Sequence, residues 1–121
     1  MKLKYIRQRY ILFEVICPSK QNFNKEVIIK AIGKKLIKFF GEYNTFKVGL
    51  WMIRWDPQNQ IGILRVDNVS KYHVISAMFL IKEINSSPVI FHTRKTSGTI
   101  KRTLKIWRQI FSCLPPRQEK R

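Results

Sequence analysis

The sequence predicts an α+β domain of β-α-β-β-α-β order with one additional C-terminal helix, and three observations predict it. Runs rich in β-branched and aromatic residues alternate with two stretches of helical periodicity, each opened by an asparagine. The two middle strand-like runs are separated only by the turn "DPQNQ" at Asp56. The chain then closes on an amphipathic stretch that stops at Pro115-Pro116. A chain of 121 residues is most simply one domain, with an expected ordered core at about residues 5–114 and a short basic tail over 115–121.

The first strand is "YILFEVIC", Tyr10 to Cys17, ended by Pro18. Alternation places Ile11, Phe13 and Val15 on one face and Tyr10, Leu12, Glu14 and Ile16 on the other. After the loop "PSKQN", Asn24 is the expected N-cap of a first helix, with Phe23 and Ile28 spaced as a hydrophobic staple. That helix runs to about Phe40 and stops at Gly41. Its apolar stripe is Ile28, Ile29, Ile32, Leu36 and Phe39, and Lys30, Lys34 and Lys38 line the opposite, solvated side.

"FKVGLWMIRW" from Phe46 and "IGILRV" from Ile61 form a hairpin. Strict alternation in the former puts Phe46, Val48, Leu50 and Met52 on one face and Trp51, Ile53 and Trp55 on the other. Both faces are apolar, so the sheet is expected to be covered on both sides, the second by another helix of this chain or by a partner. Asn68 caps an expected second helix reaching Ile84, with a core stripe of Val74, Ala77, Met78 and Ile81. Almost opposite lies a second apolar stripe, Tyr72, Ile75 and Phe79, which is read as a partner-docking face. "PVIFHTRK" from Pro88 is the fourth strand. The last helix extends to about Leu114, capped by Thr96 or Ser97. This order is the split βαβ, ferredoxin-like (RRM-like) sandwich: a four-stranded antiparallel sheet with two helices on one face and a third available for the other.

Composition narrows the function. With 24 lysines and arginines against seven acids, the net charge is +17. Self-repulsion on that scale is relieved by a polyanionic partner. The cations are spread along the whole chain, and no apolar run approaches the roughly 18 residues of a spanning helix, which argues against a membrane. The start "MKLKYIRQRY" lacks the apolar stretch of a signal peptide, so a cytoplasmic protein is expected. Cys17 and Cys113 have no CxxC spacing and are read as buried thiols rather than a metal or redox site.

Catalytic residues are poorly supplied. The seven acids are scattered singly, and His73 and His92 have no acidic or cysteine neighbour at catalytic spacing. Acylphosphatases share this topology but use a glycine-rich phosphate loop after the first strand, and "CPSKQN" contains no glycine. No catalytic residue, metal site or protein-bound cofactor is expected.

Nucleic-acid binding has more behind it. In the last helix, Ile100, Leu104, Trp107, Phe111 and Leu114 fall on one side and Lys101, Arg102, Lys105 and Arg108 on the other. Arg94 and Lys95 lead into it through Ser97, Gly98 and Thr99, and no acid occurs between Glu83 and Glu119. Free N–H groups of a first helical turn beside cations form an anion site, and Gly98 would allow close backbone approach. Arg7, Arg9 and Arg65 complete the expected RNA-contacting set. "IGILRV" carries no aromatic and does not match the RNP1 pattern, so recognition of a structured RNA backbone is favoured over stacking of exposed bases.

"RYILFEV" from Arg9, "FGEYNTFKVGLWMIRWDP" from Phe40, "GILRV" from Gly62 and "SGTIKR" from Ser97 occur in order over nearly the whole chain. In this combination the chain resembles the archaeal ribonuclease P protein component 2 family, shared with a eukaryotic RNase P/MRP subunit. The resemblance implies a non-catalytic subunit of the RNA enzyme that removes the 5′ leader of precursor tRNA, with the RNA and its Mg²⁺ ions doing the cutting. It implies ribonuclease P RNA and protein component 3 as partners, precursor tRNA as holoenzyme substrate, and self-association within a hetero-oligomer as a further expectation. A generic structured-RNA-binding module, such as a ribosome-associated protein, is the alternative that needs no protein partner.

Overall fold

The computed structural model describes residues 8–41 and 50–113. Strand β1 (Gln8–Ile16) is followed by helix α1 (Lys25–Phe40), then by the hairpin of β2 (Trp51–Asp56) and β3 (Ile61–Asp67). A 3-10 turn (Asn68–Ser70) opens helix α2 (Lys71–Leu80). The short strands β4 (Glu83–Ile84) and β5 (Ser87–Pro88) precede β6 (Ile90–Ser97) and helix α3 (Ile100–Cys113). The long strands pair antiparallel in the order β2-β3-β1-β6, the ferredoxin-like order with β6 as its fourth strand.

The core has two layers because β1 is apolar on both faces. Ile11, Phe13 and Val15 point into a cluster with Ile28, Ile32 and Leu36 of α1 and Val74, Ala77 and Met78 of α2. Leu12 points the other way, joining Ile61 and Ile63 beneath Ile100, Leu104, Trp107 and Phe111 of α3. Full burial of one such aliphatic chain contributes about 1.5–3 kcal/mol relative to exposure, so β1 anchors both layers. The third helix thus covers the second face of the sheet over β1 and β6, whereas the second face of β2, where Trp51 is exposed, stays uncovered by the described residues.

Local chemistry sets the element ends. The Asn24 Oδ1 accepts the Val27 N–H at 3.2 Å, and Phe23 and Ile28 are buried in one cluster. Gly41 ends α1 with φ of 87°, a conformation that favours glycine. In the β2–β3 turn, the Asp56 carboxylate accepts the Gln58 N–H at 3.1 Å and the Asn59 side-chain amide at 2.8 Å.

Several expectations are corrected. Residues 46–49 of the expected second strand lie outside the described residues. Within β2, Met52 pairs with Leu64 and Arg54 with Ile63, so Ile53 is an extra residue in a β-bulge. The extra residue reverses the alternation beyond it. Trp55 therefore shares the helix-covered face with Met52, stacks on Phe13 at 5.9 Å, and donates its indole N–H to the Phe23 carbonyl at 3.0 Å.

The second helix ends at Leu80 rather than Ile84. Asn85 and Ser86 both have positive φ, forming the two-residue turn of the β4–β5 hairpin, to which Pro88 belongs. Of the α1 stripe, Phe39 is exposed beneath the ammonium groups of Lys35 and Lys38. Cys17 is half-buried, and the Ser19 hydroxyl 3.2 Å from its Sγ holds the thiol below its ordinary pKa.

Candidate nucleic-acid interface

The residues of the expected anion site meet where β6 turns into α3. Ser97 is buried at the end of β6, and its Oγ accepts the Thr99 N–H at 3.3 Å. The helix cap is Thr99, correcting the expected Thr96 or Ser97. Its Oγ1 accepts the Arg102 N–H at 3.2 Å, satisfying one orphan donor of the first turn. Its carbonyl accepts the Thr103 hydroxyl at 2.9 Å, which lets Thr103 be fully buried against the sheet. Sequence periodicity missed Thr103, because a hydroxyl is internalised without penalty only when such a partner exists.

Gly98 does not have the positive φ that would make glycine a conformational requirement. What stands beside it is a side chain rather than another backbone: a Cβ there would lie 3.2 Å from Arg9 Nη1. Arg9 donates from the same Nη1 to the Gln8 carbonyl at 3.1 Å. The fold thus brings an arginine of the first strand against the start of the last helix.

Along α3, the apolar stripe settles on the sheet and leaves Lys101, Arg102, Lys105 and Arg108 exposed. With Thr99 they line an open groove of about 560 Å³. Four cations and a helix N-terminus on one groove give it a positive potential suited to phosphates, and no acid lines it to oppose them.

The remaining expected contacts are dispersed. Lys95 is exposed on the edge strand β6. Arg94 is an extra residue in a bulge of β6 and is ion-paired with Glu14, whose Oε1 also lies 3.3 Å from His92 Nδ1. Part of the Arg94 charge is therefore already balanced. Arg65 lies across the sheet, opposite Tyr10 on one side and Trp51 on the other. Arg7 falls outside the described residues. On α2, Tyr72 and Phe79 are exposed at 68% and 69% with Lys71 and Lys82 over their rings, while Ile75 packs against the core.

Among the described residues, no three histidine, cysteine or acidic side chains cluster as metal ligands, and no helix is long and apolar enough to cross a membrane. A ferredoxin-like sheet backed on both faces by helices, with a cationic groove opening at a capped helix start, defines the class: an RRM-like domain suited to polyanion contact.

The Rpp14/Pop5 family model matches residues 9–107, and the chain belongs to that family. It is 40% identical over 96 residues to "Ribonuclease P protein component 2" of Pyrococcus furiosus, covering 79% of this chain and 78% of the relative. Similarity extends to "Ribonuclease P/MRP protein subunit POP5" of Schizosaccharomyces pombe, 30% identical over 110 residues and covering 79% of each chain. A chain in a cryo-EM structure of yeast ribonuclease MRP superposes with a TM-score of 0.66 at 12% identity, covering 93% of this chain and all of that one, which supports the fold.

Proposed function

We propose that this chain is a non-catalytic, RNA-binding protein subunit of ribonuclease P that supports removal of the 5′ leader of precursor tRNA. Membership of the Rpp14/Pop5 family over residues 9–107 is the observation that carries the reading. Charge alone does not distinguish ribonuclease P RNA from another structured RNA, and the names borne by the relatives favour the former. On this reading the RNA and its Mg²⁺ ions carry the chemistry. The protein contributes cations: Arg9, Lys101, Arg102, Lys105 and Arg108 lie close to closely packed phosphates, and the folded RNA then needs fewer free ions at the same places. The exposed Tyr72 and Phe79 provide a docking face for protein component 3.

Reconstitution tests it. The protein is added to ribonuclease P RNA, with and without candidate protein partners, and precursor-tRNA cleavage is followed at low Mg²⁺. The expected result is cleavage at Mg²⁺ concentrations where the RNA alone is inactive. RNA binding with no change in cleavage would instead favour the generic structured-RNA module.

A further inference from the structure

The register of the sheet lines up four residues in one row, Trp51 of β2, Arg65 of β3, Tyr10 of β1 and Ser97 of β6. All four belong to the face that α3 covers, since Leu12, Ile61 and Ile63 on that face pack beneath α3. The helix lies over β1 and β6, so it covers Tyr10 and leaves the edge strand β2 open. Trp51 is consequently 59% exposed on a strand, with its indole unsupported by any ring contact among the described residues.

The surroundings of Trp51 are cationic. Arg65 stands directly across from it, with a buried Nε that makes no hydrogen bond. Arg54 is exposed on the same side of β2, because the Ile53 bulge brings it opposite Ile63. The ion pairs among the described residues involve neither arginine. Asp67 sits at the far end of β3, beyond Arg65, so negative charge on a ligand is favoured on the Arg54 and α3 side. Three strand spacings separate Trp51 from Ser97, about 14 Å, so the row runs from the open indole to the capped start of α3.

We propose that Trp51 is a stacking site for one unpaired base of the bound RNA, with Arg65 and Arg54 holding its flanking phosphates while the strand continues onto the α3 groove. The proposal rests on the RNA-binding reading and adds to it a specific preference for unpaired nucleotides. An indole stacks on any base, and adjacent guanidinium groups add charge-assisted bonds to phosphate. Tyr10 cannot serve, because α3 already covers it. A tryptophan anchoring a protein interface sits preferentially in an uncharged centre, whereas this one is bracketed by two arginines without a paired acid.

The test compares the full chain with its Trp51→Ala and Trp51→Phe variants on two probes: a single-stranded oligoadenylate and a blunt RNA duplex of equal phosphate count. Loss of one stacked base predicts about 5- to 150-fold weaker oligoadenylate binding by Trp51→Ala. Duplex affinity, salt slope and thermal midpoint stay unchanged, and Trp51→Phe keeps most of the affinity. Oligoadenylate quenches tryptophan fluorescence in the wild type and much less in Trp51→Phe, since Trp55 and Trp107 pack inward. Equal losses on both probes, or no loss on either, would overturn the stacking site. So would intact RNA binding with lost association to protein component 3 on size exclusion. A wild-type chain that binds neither probe would overturn the RNA-binding reading as well.

Discussion

Two glycines illustrate how differently the same residue is constrained. At Gly98 an added methyl meets the tip of the Arg9 side chain, which can swing away. Gly98→Ala is expected to change stability by no more than about 0.5 kcal/mol, yet to weaken RNA binding by displacing Arg9 from the start of α3. Thermal unfolding and filter binding on the same preparation separate the two effects. At Gly62 an added methyl would lie 2.6 Å from the Trp55 ring and 2.9 Å from the Arg54 carbonyl. Neither neighbour yields easily, because the Trp55 indole is tied to Phe23 and the carbonyl belongs to the sheet. Gly62→Ala is expected to destabilise by about 1–3 kcal/mol, read as a lower denaturant midpoint.

At the scale of the element, α3 joins a packing function to an electrostatic one. Its inward face completes the core over Leu12, Ile61 and Ile63, and its outward face is a row of cations without acids. Charge reversal of Lys101, Arg102 and Lys105 to glutamate is expected to leave the fold intact and weaken RNA binding. The slope of log affinity against log salt should flatten by roughly 0.7–0.9 for each phosphate no longer neutralised. An unchanged slope would remove α3 from the interface. Thr99→Ala removes the cap and is expected to cost about 1 kcal/mol, measured by the thermal midpoint. The bulges in β2 and β6 matter at this same scale, since each turns an arginine, Arg54 or Arg94, out of simple alternation.

Taken whole, the described residues form three layers, α1 and α2 on one side of the sheet and α3 on the other. The exposed aromatic pair Tyr72 and Phe79 belongs to the α2 layer, and the cationic groove to the α3 layer. Separate layers allow a protein and an RNA to be held at once. Phe79→Asp is therefore expected to abolish association with protein component 3 on size exclusion while leaving RNA affinity and the circular dichroism spectrum unchanged. Simultaneous loss of both partners would mean that the two faces are not independent.

The four long strands, the three helices, their order and the cationic side of α3 are legible in the sequence, because each is written in residues within one or two turns or pleats of each other. Asn24, Gly41 and the β1 alternation are of this local kind. What the sequence does not reveal depends on distant partners. A bulge forms only against a paired strand, so alternation alone puts Trp55 on the wrong face and cannot single out Trp51 as the open indole. The β4–β5 turn uses Asn-Ser rather than a stronger turn pair, so helical periodicity carries α2 too far. Arg94 is balanced by Glu14, and Gly98 is faced by Arg9, both from the opposite end of the chain. Local periodicity thus determined the long elements, whereas only strand pairing, which joins residues far apart in sequence, decided which strand arginines stay unpaired and which tryptophan of the sheet faces solvent.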